Sequence, residues 1–332
     1  NVLVGDEAGT ALTTGDKNVA LGFEALATED TGKSSVAIGY QALKVQNNDA
    51  ENNNTAIGAL AGLSVTTGIR NTLIGGLTGD AVTTGQNNTA MGYQTLGAET
   101  AGQRAVALGS FALATQNHST GTENYNVGVG YAAGNLITTG VRNTLVGGLA
   151  GDALTDADAN IAIGYLALSA DTLGSKSVAI GQSALSSQNF DTATDTYNVA
   201  VGHAAGTSVT FGIANTIIGG LSGDALTEGN NNVAVGYNTL TADTKGDRNV
   251  AIGSAALSTQ NFTTSTDSYN VAVGHGAGNQ ITTGIENTII GGLAGDALTD
   301  ADLNVAVGKS ALSADTLGSK SVAIGAGTLN VQ

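Results

Sequence analysis

Asn198-Val199-Ala200-Val201-Gly202 returns as Asn215-Thr216-Ile217-Ile218-Gly219, seventeen positions further on. It returns at the same interval as Asn232-Val233-Ala234-Val235-Gly236 and Asn249-Val250-Ala251-Ile252-Gly253. A longer interval, twenty-one positions, leads to Asn270-Val271-Ala272-Val273-Gly274. Working outward from this block, the pentad recurs nineteen times between Gly5 and Gly325. Three short intervals and one long one make a superperiod of seventy-two positions, with blocks starting near Asn54, Asn126, Asn198 and Asn270. A fixed period of this kind marks a repeat architecture, and this one is too short for paired-helix repeats.

β-Branched triplets between Asn and Gly read as short strands. Eight positions after the motif glycine stands a column of Thr (Thr66, Thr83, Thr100, Thr210, Thr227), which becomes Asn in the fourth coil of each block (Asn47, Asn117, Asn189, Asn261). A second glycine commonly follows two positions later, as at Gly68, Gly85 and Gly212. Two apolar segments and two glycine-bearing turns in each short repeat predict one turn of an all-β, parallel β-solenoid (a β-roll). The sequence therefore reads as one continuous repeat region over residues 1–332, with about nineteen coils. At about 4.7–4.9 Å per coil it would form a rod of about 90 Å. It enters and leaves inside a coil and reads as a piece of a longer fibre protein. The Asn column is expected to form an amide ladder, each side chain bonding its copies above and below.

Composition agrees and excludes other classes. The chain has 332 residues, 49 of them Gly, with no Pro and no Cys. Every amide can therefore donate to a ladder. Disulfide frameworks and thiolate zinc sites are ruled out. Gly at about one residue in seven without Pro is not collagen. A hydrophobic content of 41% argues against disorder, and a net charge of −16 against nucleic acid. No catalytic constellation stands out, so no enzyme activity and no cofactor is expected, and no membrane insertion of this segment.

Three successive apolar residues in a strand want burial on both faces. Val199 and Val201 are expected to face the coil interior. The middle position is then expected to face a partner: Ala200, Ala272, Leu73, Leu145, Ile217 and Ile289 are the candidate oligomer interface. A solvent-exposed apolar stripe of that length would far exceed ordinary surface patches. The simplest cover is another copy of the chain in a parallel homo-oligomer about a cyclic axis.

Ser35–Gly39, Ser177–Gly181 and Ser321–Gly325, all Ser-Val-Ala-Ile-Gly, resemble the head repeats of trimeric autotransporter adhesins. Thr55–Leu60 (TAIGAL) and Thr89–Leu96 (TAMGYQTL) are similar to arrays in phage tail-fibre proteins. The resemblance implies a left-handed β-roll, a homotrimer, an extracellular setting on a cell surface or virion, and a role in host attachment. The adhesin-head coil is typically shorter than the coil here, so the resemblance does not extend to turn geometry.

The ligand-bearing candidates are few. Asp80, Asp152, Asp224 and Asp296 recur only once per block, too far apart for calcium-roll spacing, and read as turn residues. His203 and His275 follow motif glycines, and rings of three imidazoles in a trimer are the one weak metal candidate. The longer coils carry polar insertions, Gln116–Tyr125, Gln188–Tyr197 and Gln260–Tyr269. Loops that interrupt a solenoid are its usual binding face. Tyr125, Phe190, Tyr197, Phe262 and Tyr269 are the candidate contacts to a cell-surface carbohydrate or protein receptor. Two other readings compete: a self-assembling filament subunit, and a monomeric ice-binding type of solenoid that uses the Thr column.

Overall fold

The computed structural model describes residues 1–330. Among them the chain forms about nineteen coils of a parallel β-solenoid, with no helix. The coils fall into two compact units, Asn1–Ala162 and Ile163–Gln332.

Each coil contributes one three-residue strand that pairs in parallel with the same triplet of the next coil. In the first unit Thr55, Ala56 and Ile57 face Thr72, Leu73 and Ile74. In the second, Val199, Ala200 and Val201 face Thr216, Ile217 and Ile218. Register never slips, because a shift of one residue would exchange inside for outside. After each strand the motif glycine takes a positive φ, and its backbone lies against the next coil's glycine. Gly130 has φ +135°, and a Cβ there would sit 2.5 Å from the Gly147 carbonyl oxygen. That column therefore excludes any side chain.

The strand orientation is the reverse of the expectation. Ala200, Ala272, Leu73, Leu145, Ile217 and Ile289 point into their own coil and are fully buried without any partner. The outward residues are those on either side of them. Leu21 and Met91 in the first unit, and Ile218, Ile252 and Ile290 in the second, are 38–47% exposed. The physical reason lies in the opposite wall. Four positions after the glycine, coils carry either Leu or Gly. Beside Leu73 stand Gly62 and Gly79, whose added Cβ atoms would lie 2.9 and 2.8 Å from Leu73 methyls. Where the strand residue is Ala, as at Ala90 and Ala107, the wall supplies buried Leu96 and Leu113. At the level of Ala56 and Gly62 neither wall is large, and Leu73 and Leu43 of the adjoining coils fill the space. A trio of β-branched residues therefore does not require two buried faces. The polar Thr55, Thr72, Thr89, Thr144, Thr216 and Thr288 at the first strand position already mark that side as outward.

Seven positions after the glycine, the core residue also follows the superperiod. Two coils carry an apolar residue there (Val65 and Val82, or Val209 and Leu226). The next two carry a carboxylate and then Gln (Glu99 and Gln116, or Asp243 and Gln260), all fully buried. The superperiod is thus an alternation of apolar and polar core.

The Asn column bonds mainly side chain to backbone, with amide-to-amide bonds at some levels: Asn143 Nδ2 donates to Asn126 Oδ1 at 3.3 Å, Asn249 Nδ2 to Asn232 Oδ1 at 3.1 Å and Asn287 Nδ2 to Asn270 Oδ1 at 3.2 Å. Asn71 Oδ1 accepts from the Asn88 backbone N–H at 3.0 Å, and its Nδ2 donates to the Gly85 carbonyl at 2.8 Å. Asn215 does the same toward Asn232 (3.0 Å) and Gly229 (2.8 Å). Both amides staple backbone to backbone, satisfying donors and acceptors that the turns leave unpaired.

Candidate functional site

The insertions of the longer coils are held by a buried clasp. In the first unit Glu99 Oε1 accepts from the N–H groups of Gly102 (2.7 Å) and His118 (2.9 Å). Its Oε2 accepts from Gln116 Nε2 at 2.8 Å and faces His118 Nδ1 at 3.0 Å. Gln116 Oε1 in turn accepts from Asn126 Nδ2 at 2.8 Å, which joins the clasp to the Asn column. The second unit repeats the arrangement. Asp243 accepts from the N–H groups of Gly246 and Phe262, each at 3.0 Å, and from Gln260 Nε2 at 2.6 Å. Gln260 Oε1 accepts from Asn270 Nδ2 at 2.8 Å. Gly246 is required for this approach, since a Cβ there would collide with the Asp243 carboxylate.

Titration separates the two clasps. Burial pushes the Asp243 carboxyl above its ordinary 3.8, against the pull of its hydrogen bonds. Burial also opposes ionisation of Glu99, but the bonds from His118, Gln116 and Gly102 outweigh it and hold the carboxyl below its ordinary 4.5. The Glu99 hydrogen bond holds His118 above its ordinary 6.5.

Neither the carboxylates nor the glutamines of the clasps stand among the candidates drawn from sequence. Their signal is present: Glu29/Gln46, Glu99/Gln116, Asp171/Gln188 and Asp243/Gln260 are each one short period apart and recur once per block. Phe190 and Phe262 do stand among the expected receptor contacts, and the structure corrects this. Both are only 7% exposed, because the clasp holds their backbone N–H groups and draws the rings inward. They are removed from that set.

The three tyrosines are exposed, each capping a charge pair. Arg104 lies 5.4 Å from the Tyr125 ring centroid and pairs with Glu123 at 2.7 Å, while the Tyr125 hydroxyl donates to Glu123 at 2.8 Å. Arg248 lies 5.4 Å from the Tyr269 ring and pairs with Asp267 at 3.1 Å. Lys176 stands in the same relation to Tyr197, at 5.3 Å, and pairs with Asp195. Short parallel pairings, Gly174–Ser175 with Thr194–Asp195 and Gly246–Asp247 with Thr266–Asp267, fix the carboxylates in place. Each insertion thus presents a cation, an aromatic ring and a carboxylate on one surface.

His203 and His275 are exposed on the outside of their coils, each with its backbone carbonyl bonded to the next coil. Among the described residues no group of three His, Asp or Glu side chains could hold a metal ion. The Thr column spends its hydroxyls internally: Thr83 and Thr227 donate to the Thr100 and Thr244 carbonyls, each at 3.0 Å. No described helix is long and apolar enough to cross a membrane. Comparison with protein-family models, with curated proteins and with solved structures finds no match for the chain.

Proposed function

We propose that the chain is a non-enzymatic extracellular fibre or adhesin shaft, a parallel homotrimer used for attachment to a cell surface. The observation that carries this reading is the outward strand face. Within each unit, every coil places aliphatic or Thr side chains on the same outer surface at the same register. Leu21 and Met91 in one unit, and Ile218, Ile252 and Ile290 in the other, stand exposed there. Apolar stripes of this kind are covered in stable proteins. The surface with the same axial repeat is that of a second copy, and cyclic association of parallel copies brings like coils together. The interface expected at Ala200 and its equivalents belongs instead to these flanking residues. The exposed Tyr125, Tyr197 and Tyr269, with their charge pairs, are the surface offered to a receptor.

Sedimentation equilibrium tests the assembly. The expected mass is three times the chain mass of 32.6 kDa. Ile218→Glu combined with Ile252→Glu should release single chains with an unchanged β-sheet circular dichroism spectrum. A wild-type mass of one chain overturns the reading.

A further inference from the structure

A cavity of about 340 Å³ opens in the first unit between Asp80, Gln94, Gly97, Phe111, Thr115 and Asn135. Its volume lies at the lower end of the range for small-molecule sites. Its lining combines a carboxylate, two carboxamides, a hydroxyl and an aromatic ring. The Phe111 ring is fixed edge-on between Tyr93 and Tyr131, with centroids 5.7 and 6.1 Å away. The Thr115 hydroxyl donates to the Asn135 carbonyl at 2.7 Å, so it is oriented to accept from a ligand.

The second unit carries a related set of residues in the corresponding coils. Asp224, Asn238, Thr259 and Asn279 stand two superperiods after Asp80, Gln94, Thr115 and Asn135. Four lining positions differ: Asn238 replaces Gln94, Thr241 replaces Gly97, Ala255 replaces Phe111 and Ser258 replaces Ala114. There the Thr241 hydroxyl donates to Asp224 Oδ1. At Gly97 nothing takes that place: an added Cβ would meet Asp80 Oδ1 at 3.5 Å, an ordinary contact. Burial raises the Asp80 carboxyl above its ordinary 3.8, countered only by a bond from its own backbone. One block has therefore lost the internal hydroxyl donor and gained a ring.

We infer that this cavity is a binding site for a neutral pyranose, in which a sugar hydroxyl donates to Asp80 in the place Thr241 fills at Asp224. Phe111 offers its ring to the C–H face of the sugar, and Gln94 and Asn135 bond further hydroxyls in both directions. A single carboxylate among neutral amides and a ring fits a polyol better than a metal cation, which wants several charged oxygens. This site is separate from the tyrosine surface of the insertions and goes beyond the fibre reading.

The test is titration of the full chain with methyl glycosides of glucose, galactose, mannose and N-acetylglucosamine, followed by saturation-transfer NMR. At least one should bind with Kd on the order of millimolar, as expected for a ligand of this size. Gly97→Thr, which copies the residue that bonds Asp224 in the second unit, should weaken binding roughly tenfold or more while leaving the fold unchanged. Asp80→Asn should weaken it by about tenfold. Thr241→Gly should not create binding, because Ala255 supplies no ring. Failure of all four glycosides to bind at 50 mM (about ten times the expected Kd), binding unaffected by Gly97→Thr, or calcium binding that Asp80→Asn abolishes would each overturn the inference. Because the readout is glycoside binding and not mass, its failure is distinct from failure of the trimer.

Discussion

The clasp at Glu99 in the first unit and the clasp at Asp243 in the second share one backbone plan. Each buries a carboxylate that accepts from a glycine N–H, from the N–H two residues after Gln, and from that Gln. They differ in the carboxylate, Glu in the first and Asp in the second, and in one neighbour. Where the first has His118, the second has Phe262. The two carboxyls shift in opposite directions, Glu99 below its ordinary value with bonds from His118, and Asp243 above it through burial. The insertion is specified by the hydrogen-bonding plan, while its response to pH follows the carboxylate and the residue beside it.

The largest effect on this comparison should come from removing a carboxylate. Asp243→Ala leaves three buried donors unpaired and should lower the local opening free energy of residues 243–270 by about 3–5 kcal/mol. Hydrogen exchange is the suitable measurement, because repeat arrays open locally and not as one unit. Exchange elsewhere in the chain should change little. Gln260→Leu cuts the link between Asp243 and Asn270 and should cost about 2 kcal/mol over the same residues.

The pH dependence should differ in sign between the clasps. Glu99 is depressed, so its contribution is present above pH 4.5 and is lost as pH falls through the folded value. His118 is raised, so its contribution is present below pH 6.5 and is lost as pH rises through the folded value. Protection of the first clasp should therefore peak at mildly acidic pH. Asp243 is raised, so its clasp should gain protection as pH falls through the folded value and keep it below 3.8. His118→Phe should make the first clasp resemble the second. It should cost about 1–2 kcal/mol near pH 5.5, and Glu99 should then titrate above its ordinary value by carboxyl NMR. An unchanged pH profile would show that His118 does not set the difference.

The smallest effect is expected at the surface triads. Arg248→Ala should change the stability of the insertion by less than about 1 kcal/mol, because the pair is exposed and screened.

Much of the fold was legible because its constraints are periodic. Glycine recurs where backbones touch, and Asn recurs where turns leave donors and acceptors unpaired. Inside and outside were not legible from Val199-Ala200-Val201 alone. The decision rests on the opposite wall, where Leu96 or Gly79 determines how much room the strand residue has. Thr72 and its equivalents carried the missing signal in the first strand position. Phe262 misled for a related reason: a ring in a polar insertion reads as exposed until the carboxylate that captures its backbone is recognised. The cavity beside Gly97 could be found only by aligning blocks and asking why one lacks the hydroxyl of Thr241.

The central claim is that the strand's flanking residues, and not its middle residue, face a parallel copy of the chain. The chain has no cysteine, so single substitutions Ile252→Cys and Ala251→Cys can be compared directly by oxidative cross-linking and thiol labelling of the native protein. The account predicts covalent linkage between copies through position 252 and an unreactive, unlinked thiol at position 251. Linkage or labelling at 251 with none at 252 would contradict it.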